Sequence, residues 1–164
     1  MEVFIGRQPI FNIQEEIVAY ELLYRNKNVN AFPLVDSDSA TIDVIVNSFL
    51  SIGIDFVTNG LPSFINFTEN LLSSPLLDYL DPNKIVIEIL EDVPLTEELV
   101  DRVRELKKQG YKMALDDFIF DEKVTVYDEL FTYIDYIKVD FLLSSFENRL
   151  KVEDKVKRQF PHIK

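Results

Sequence analysis

Five short apolar runs each carry polar side chains that could do chemistry. IVIEIL (residues 85–90) holds one carboxylate, Glu88, among aliphatic residues. Glu21 sits in AYELL, Asn66 in FINF, the adjacent acids Asp116 and Asp117 in MALDDF, and Lys138 with Asp140 in YIKVDF. An ionised carboxylate in such a run is costly unless it is paired or bound to a cation. Several carboxylates converging on one place repel each other, and divalent cations relieve that repulsion. A set of Asp, Glu and Asn oxygens suits Mg²⁺, Mn²⁺ or Ca²⁺ rather than zinc. Such a centre could hold an anionic phosphate ester through its metals.

The plainer reading stands beside this one. A single buried Glu or an Asp-Asp pair is more often a salt-bridge or capping residue, and Lys138 could simply pair with Asp140. Five such positions at matching places in successive runs are harder to dismiss.

The elements that would position these residues can be read from periodicity. Residues 3–10 and 17–23 are β-rich around a polar connection at 12–16, which predicts a hairpin. The polar stretch 26–38 reads as a loop. From Ser39, a plausible N-cap, Ile42, Ile45, Val46, Phe49 and Leu50 recur at helical spacing. Residues 63–67 read as a strand, 69–80 as a short helical region and 84–90 as a strand. The clearest helix follows, with Thr96 as N-cap, Glu97 and Glu98 in its first turn, and Leu99, Val103 and Leu106 as its buried stripe. Lys107 and Lys108 complement the dipole at its end, and Gly110 stops it. Strand 112–118, helix 127–133, strand 136–141 and a charged helical stretch over 142–159 complete the pattern. Strands and helices alternating after a hairpin imply a parallel sheet with helical crossovers.

Side chains alternate between the two faces of a strand. In a parallel barrel, Ile65, Phe67, Ile87, Ile89, Leu115, Ile137 and Val139 then face the helices. Glu21, Asn66, Glu88, Asp116 and Lys138 face inward, towards the C-terminal ends of their strands, where barrel enzymes place their sites.

Composition excludes several alternatives. The chain has 164 residues, 47% of them apolar, enough for one globular domain. With no cysteine, disulfides, thiolate zinc sites and cysteine nucleophiles are ruled out. One histidine, His162, cannot make a two-histidine metal site and is expected to be an exposed tail residue. Four glycines, none closer than seven positions, leave no P-loop or dinucleotide fingerprint. A net charge of −12 opposes long nucleic acids, but not a small anion carried by metals. No apolar run reaches about 18 residues and no signal peptide opens the chain. The expectation is a cytoplasmic protein without membrane contact.

The same residues carry a resemblance. Glu21-Leu22-Leu23-Tyr24-Arg25 resembles the Glu-x-Leu-x-Arg signature of EAL domains, the bacterial cyclic-di-GMP phosphodiesterases. Arg7-Gln8-Pro9-Ile10 resembles the strand before that signature. Asn66, Glu88, Ala114-Leu115-Asp116-Asp117-Phe118 and Ile137-Lys138-Val139-Asp140 match later family motifs in order. The opening wording is most similar to the subgroup in which the EAL domain precedes an HDOD domain.

The resemblance implies an α/β fold, a modified TIM barrel whose first strand runs antiparallel to the rest. It implies hydrolysis of cyclic-di-GMP to linear pGpG at two Mg²⁺ or Mn²⁺ ions. Glu21, Asn66, Glu88 and Asp116 would be metal ligands, and Asp117 would serve the second metal. Glu21, Asp116 and Lys138 would carry catalysis, with Lys138 positioning the water or stabilising developing charge. Gln8 and Arg25 would contact the dinucleotide.

The sequence departs from the pattern in two ways. Ile119-Phe120-Asp121 follows Phe118 where the family has a Gly-rich stretch. The later strands, with a further glutamate and a glutamine, would lie beyond Lys164. A full barrel takes about 250 residues, so residues 1–164 correspond to about five of its eight βα units. The expectation is an EAL-like domain truncated before its sixth strand, weakly active or inactive as it stands. Its open sheet edge would favour homo-oligomers, and a longer parent could add an HDOD partner domain. The alternative is a non-catalytic module that binds cyclic-di-GMP or a protein.

Overall fold

A computed structural model describes residues 4–25, 37–47, 49, 53–119, 126–140, 142 and 144–164. Most of the expected loop 26–38, Leu50, the segment 120–121 and Phe141 lie outside the described residues. The chain divides into two compact units, residues 1–86 and 87–164.

The first unit opens with strands β1 (Phe4–Phe11) and β2 (Ile17–Arg25). They form the expected antiparallel hairpin, in which Gln8 stands opposite Glu21. The turn is held by Asn12, whose Oδ1 accepts from the Gln14 and Glu16 amides at 2.9 Å. Strand β3 (Ser63–Phe67) lies parallel to β2, with Glu21 level with Phe64. Strand β4 (Ile85–Ile89) follows β3 in the ladder, and Ser63 donates to the Lys84 carbonyl at 2.9 Å. On β2, Tyr20, Leu22 and Tyr24 are buried, whereas Glu21 and Leu23 are half-buried, so the strand presents one helix-covered face.

Helix α1 (Ser37–Ile45) starts earlier than the expected cap, and Ser39 lies within it. Its buried stripe is Thr41, Val44 and Ile45, while Ile42 is 41% exposed and Val46 39%. The correction has a tertiary cause. Asp38, in the first turn, accepts hydrogen bonds from Thr68 and Asn70, which sets the start and rotation of the helix. Helix α2 (Ile54–Thr58) follows. The expected helical region 69–80 is split into α3 (Glu69–Leu72) and a 3-10 turn over Pro75–Tyr79. Pro75 has no N–H to continue α3, and Ser74 caps the new turn through Leu76 N.

In the second unit, helix α4 (Glu97–Lys108) has the expected Thr96 cap, with Oγ1 accepting from Leu99 N at 3.2 Å. Leu99, Val100, Val103 and Leu106 are buried, which adds one residue to the expected stripe. Strands β5 (Lys112–Leu115) and β6 (Tyr136–Ile137) pair in parallel. Both are shorter than expected, the regular strands ending at Leu115 and Ile137, just before Asp116 and Lys138. Asp135 ties the pair together, accepting from Met113 N at 2.8 Å and from Lys107 Nζ at 2.7 Å. Helix α5 (Tyr127–Phe131) and helix α6 (Phe146–Gln159) complete the unit. Phe118, Tyr127, Phe131 and Phe160 form a chain of ring contacts 5.4 to 5.6 Å apart.

The C-terminal tail is docked. Phe160 and Ile163 are buried, and His162, although exposed, has Nε2 3.2 Å from the Phe131 carbonyl. Lys164 donates to the Asp135 carbonyl and accepts from Ile137 N, both at 2.9 Å, which is one rung of a parallel ladder. The outer edge of β6, expected to lie open, is therefore engaged at that rung. Among the described residues no helix is long and apolar enough to cross a membrane.

Candidate functional site

In the second unit, three of the singled-out side chains meet. Glu88, inward-facing on β4, has no exposed surface. Lys138, just past β6, places Nζ 2.8 Å from Glu88 Oε1 and 2.7 Å from Asp116 Oδ1. The ladder sets this convergence. Asp116 N donates to the Ile89 carbonyl at 3.0 Å, and Lys138 N to the Leu115 carbonyl at 2.9 Å. Each strand end is thereby staggered against the next, so inward residues of neighbouring strands fall side by side. Lys138 thus binds acids on other strands, where the sequence left a pairing with Asp140 open. Asp140 Oδ1 accepts from Leu142 N at 2.5 Å.

Asp117 follows at φ 42, a left-handed conformation that Asp tolerates better than most residues. Phe118, anchored by Tyr127 and Phe131, holds the far side of this turn. Burial pushes the Asp117 carboxyl above the usual aspartate range. The negative charges of Asp116 and Asp140 push it further, and Lys138 opposes them. Beside Asp116 and Asp117 opens a cavity of about 250 Å³ between the ends of β4 and β5, lined by Leu90, Val93, Leu95 and Phe118, with Glu91 at its side.

In the first unit, Gln8, Glu21 and Asn66 share one sheet face. Gln8 is opposite Glu21, Glu21 is level with Phe64, and Asn66 is two residues further along the same strand. Asn66 Oδ1 is buried and has no hydrogen-bond partner among the described residues. Arg25 is exposed, and its side chain crosses Gly6 on the neighbouring strand. A Cβ at Gly6 would stand 3.0 Å from Arg25 Nε and 3.1 Å from Cγ. Arg7 belongs to the opposite face, where it donates to the Val57 carbonyl at 2.7 Å and stacks over Tyr20.

Among the described residues no group of three or more His, Asp or Glu side chains converges as a ready metal centre. Oxygen donors of the kind a hard divalent cation takes are present in each unit: in the first, Asn66 Oδ1 is buried with no hydrogen-bond partner among the described residues, and in the second, Glu88 and Asp116 share one ammonium group.

Sequence reading missed four residues around Asn66. Thr41 Oγ1 donates to the Asn66 carbonyl at 2.8 Å. Asp38 holds Thr68 and Asn70, the latter at 3.1 Å. The available signal was Thr41 itself, a polar residue one helical turn before Ile45 in a buried stripe.

No family model matches the chain. Over 144 residues it is 51% identical to the uncharacterized protein YuxH of Bacillus subtilis, a match covering 87% of this chain and 35% of that protein. It is 37% identical over 140 residues to the cyclic di-GMP phosphodiesterase CdgJ of Vibrio cholerae, covering 85% of this chain and 32% of that one. The chain thus spans about a third of the length of the curated relatives it matches. Among solved structures it is similar to the EAL domain of Mycobacterium smegmatis DcpA, with a TM-score of 0.68 and 18% identity over 98% of this chain and 78% of that chain. It is also similar to Klebsiella pneumoniae BlrP1, solved as a manganese and cyclic di-GMP complex, with a TM-score of 0.65 and 18% identity over 94% of this chain and 46% of that chain.

Proposed function

On the premise that this chain carries the α/β fold of EAL domains, a modified TIM barrel with an antiparallel opening strand, we propose that it serves cyclic-di-GMP signalling through a metal-dependent phosphodiester site. The observation that carries this reading is the Lys138 ammonium held between buried Glu88 and Asp116. Glu21, Asn66, Glu88 and Asp116 are proposed as ligands of Mg²⁺ or Mn²⁺, with Asp117 serving a second ion. Bound divalent metal supplies Lewis acidity and a lowered water pKa.

The chain's own groups do the rest. Glu88 and Asp116 offer acceptor oxygens fixed by the strand ladder. Lys138 donates hydrogen bonds to charge developing on the phosphoryl group. Arg25 and Gln8, on the sheet face of Glu21, bind the dinucleotide. Catalysis by Glu21, Asp116 and Lys138 is expected to be weak or nil in residues 1–164 alone. The cytoplasmic setting, an HDOD partner domain and homo-oligomers belong to the same reading.

The test is incubation with cyclic-di-GMP and Mn²⁺, with pGpG followed by chromatography and binding by calorimetry. Glu21→Ala should abolish turnover and weaken Mn²⁺ binding. A parent chain that shows neither binding nor turnover would sink the reading. A second reading, a receptor that binds without hydrolysis, draws on Ile119, 54% exposed, where the family has glycine. Tight binding with no pGpG would favour it.

A further inference from the structure

The N-terminal half of α1 is bonded to residues 66–70, the end of β3 and the start of α3, by three hydrogen bonds. Thr41 Oγ1 donates to the Asn66 carbonyl at 2.8 Å, and Thr41 itself is only 6% exposed. Thr68 donates to one oxygen of Asp38, and Asn70 Nδ2 to the other at 3.1 Å. Thr68 also accepts from Leu71 N, so its hydroxyl joins Asp38 to the first turn of α3. Residues 66, 68 and 70 are thus each fixed to a helix 25 or more positions away. The Asn66 side chain is carried on this fixed backbone, its Oδ1 buried without a hydrogen-bond partner among the described residues. A buried acceptor left without a partner costs free energy. Its position persists because the backbone beneath it is over-determined.

We infer that Thr41 and Asp38 are positioning residues for Asn66, holding its amide oxygen where a divalent cation can take it. The inference rests on the metal-dependent reading above. Thr41 acts on the backbone of Asn66, and Asp38 fixes the segment that follows. Neither touches the cation. Partners that orient a ligand from outside a metal site typically change affinity by roughly 10- to 100-fold.

The test is a double-mutant cycle read by Mn²⁺ binding to the full chain, using calorimetry or the electron spin resonance of free Mn²⁺. Thr41→Val keeps the shape and removes the hydroxyl. It should weaken Mn²⁺ binding by about tenfold, and Thr41→Ser should restore it. In an Asn66→Ala background, Thr41→Val should have no further effect, because its role runs through Asn66. A structural role alone would give the same loss in both backgrounds and would overturn the inference. So would unchanged binding in Thr41→Val. If Thr41→Val does not fold, Asp38→Ala is read in the same cycle with the same expectation. Loss of the metal reading has a different signature: the parent chain fails to bind Mn²⁺, or Asn66→Ala binds it unchanged. Either result overturns both.

Discussion

Lys138 Nζ lies 2.8 Å from Oε1 of Glu88, a carboxylate with no exposed surface, and the two residues are 50 positions apart. The same ammonium lies 2.7 Å from Asp116, so one cation serves two acids. The pair explains how a glutamate persists among the aliphatic residues of β4. It also leaves the cluster with excess negative charge, which a divalent cation would neutralise more fully.

Replacing Lys138 by Met should therefore destabilise the metal-free protein. Breaking a fully buried pair costs roughly 3–5 kcal/mol. Lys138 keeps 32% of its side-chain surface in water, so a loss of about 2 kcal/mol is expected. Urea unfolding in the presence of a chelator measures it. Adding Glu88→Gln should recover part of the loss, because the stranded charge is then gone. A double variant less stable than Lys138→Met would contradict the pairing argument.

Mn²⁺ should raise the thermal midpoint of the parent chain, and a chelator should reverse the rise. At a hundred times the dissociation constant, linkage gives about 2.7 kcal/mol. Glu88→Ala and Asp116→Ala should each remove most of the response. A midpoint indifferent to Mn²⁺ would speak against a site that belongs to the folded state.

Asp117 should titrate as a destabilising group. Its carboxyl is raised by burial first and by Asp116 and Asp140 next. The fold therefore favours the protonated form. Its contribution is best at acid pH and is lost as pH rises from the ordinary aspartate value through the raised one. Asp117→Asn should increase stability at neutral pH and show a smaller advantage below pH of about 4, near the ordinary Asp pKa. Asn also suits the left-handed backbone at φ 42. Chemical unfolding of both proteins across pH checks the sign. An advantage that grew on acidification would reverse it.

Phe118→Ala should do more than leave a cavity. Removing a buried Phe costs roughly 3–5 kcal/mol, and this ring anchors the turn that carries Asp116 and Asp117. Mn²⁺ affinity should fall along with stability. Phe118→Leu, closer in volume, should lose less of both. Mn²⁺ titrations on the two variants, run well below their melting points, separate the effects.

Much of this was legible where local chemistry decides. Helix α4 carries its cap, its charged ends and its stripe within a dozen residues, and β3 has the expected bounds. Strand alternation placed Glu88, Asp116 and Lys138 on one face, because the period of two is a backbone property. What failed depends on distant residues. The apolar positions of α1 fit more than one stripe, and contacts from Asp38 to Thr68 and Asn70 select the one that is used. Lys138 reaches Glu88 on β4 and Asp116 just past β5, acids that lie 50 and 22 positions away in the chain. Which strands neighbour each other decides that, and short-range spacing does not encode it.

The crossing of Arg25 over Gly6 has a consequence for variation at these two places. A Cβ at position 6 would stand 3.0 Å from the arginine side chain, so a residue there obliges Arg25 to shift and the two positions are coupled. A long cation at 25 calls for a bare backbone at 6, and a branched residue at 6 calls for a shorter or redirected partner at 25. A side chain at 6 should therefore be penalised while Arg25 is present and tolerated once 25 is shortened, which makes position 6 a dial for how far the basic group at 25 can reach.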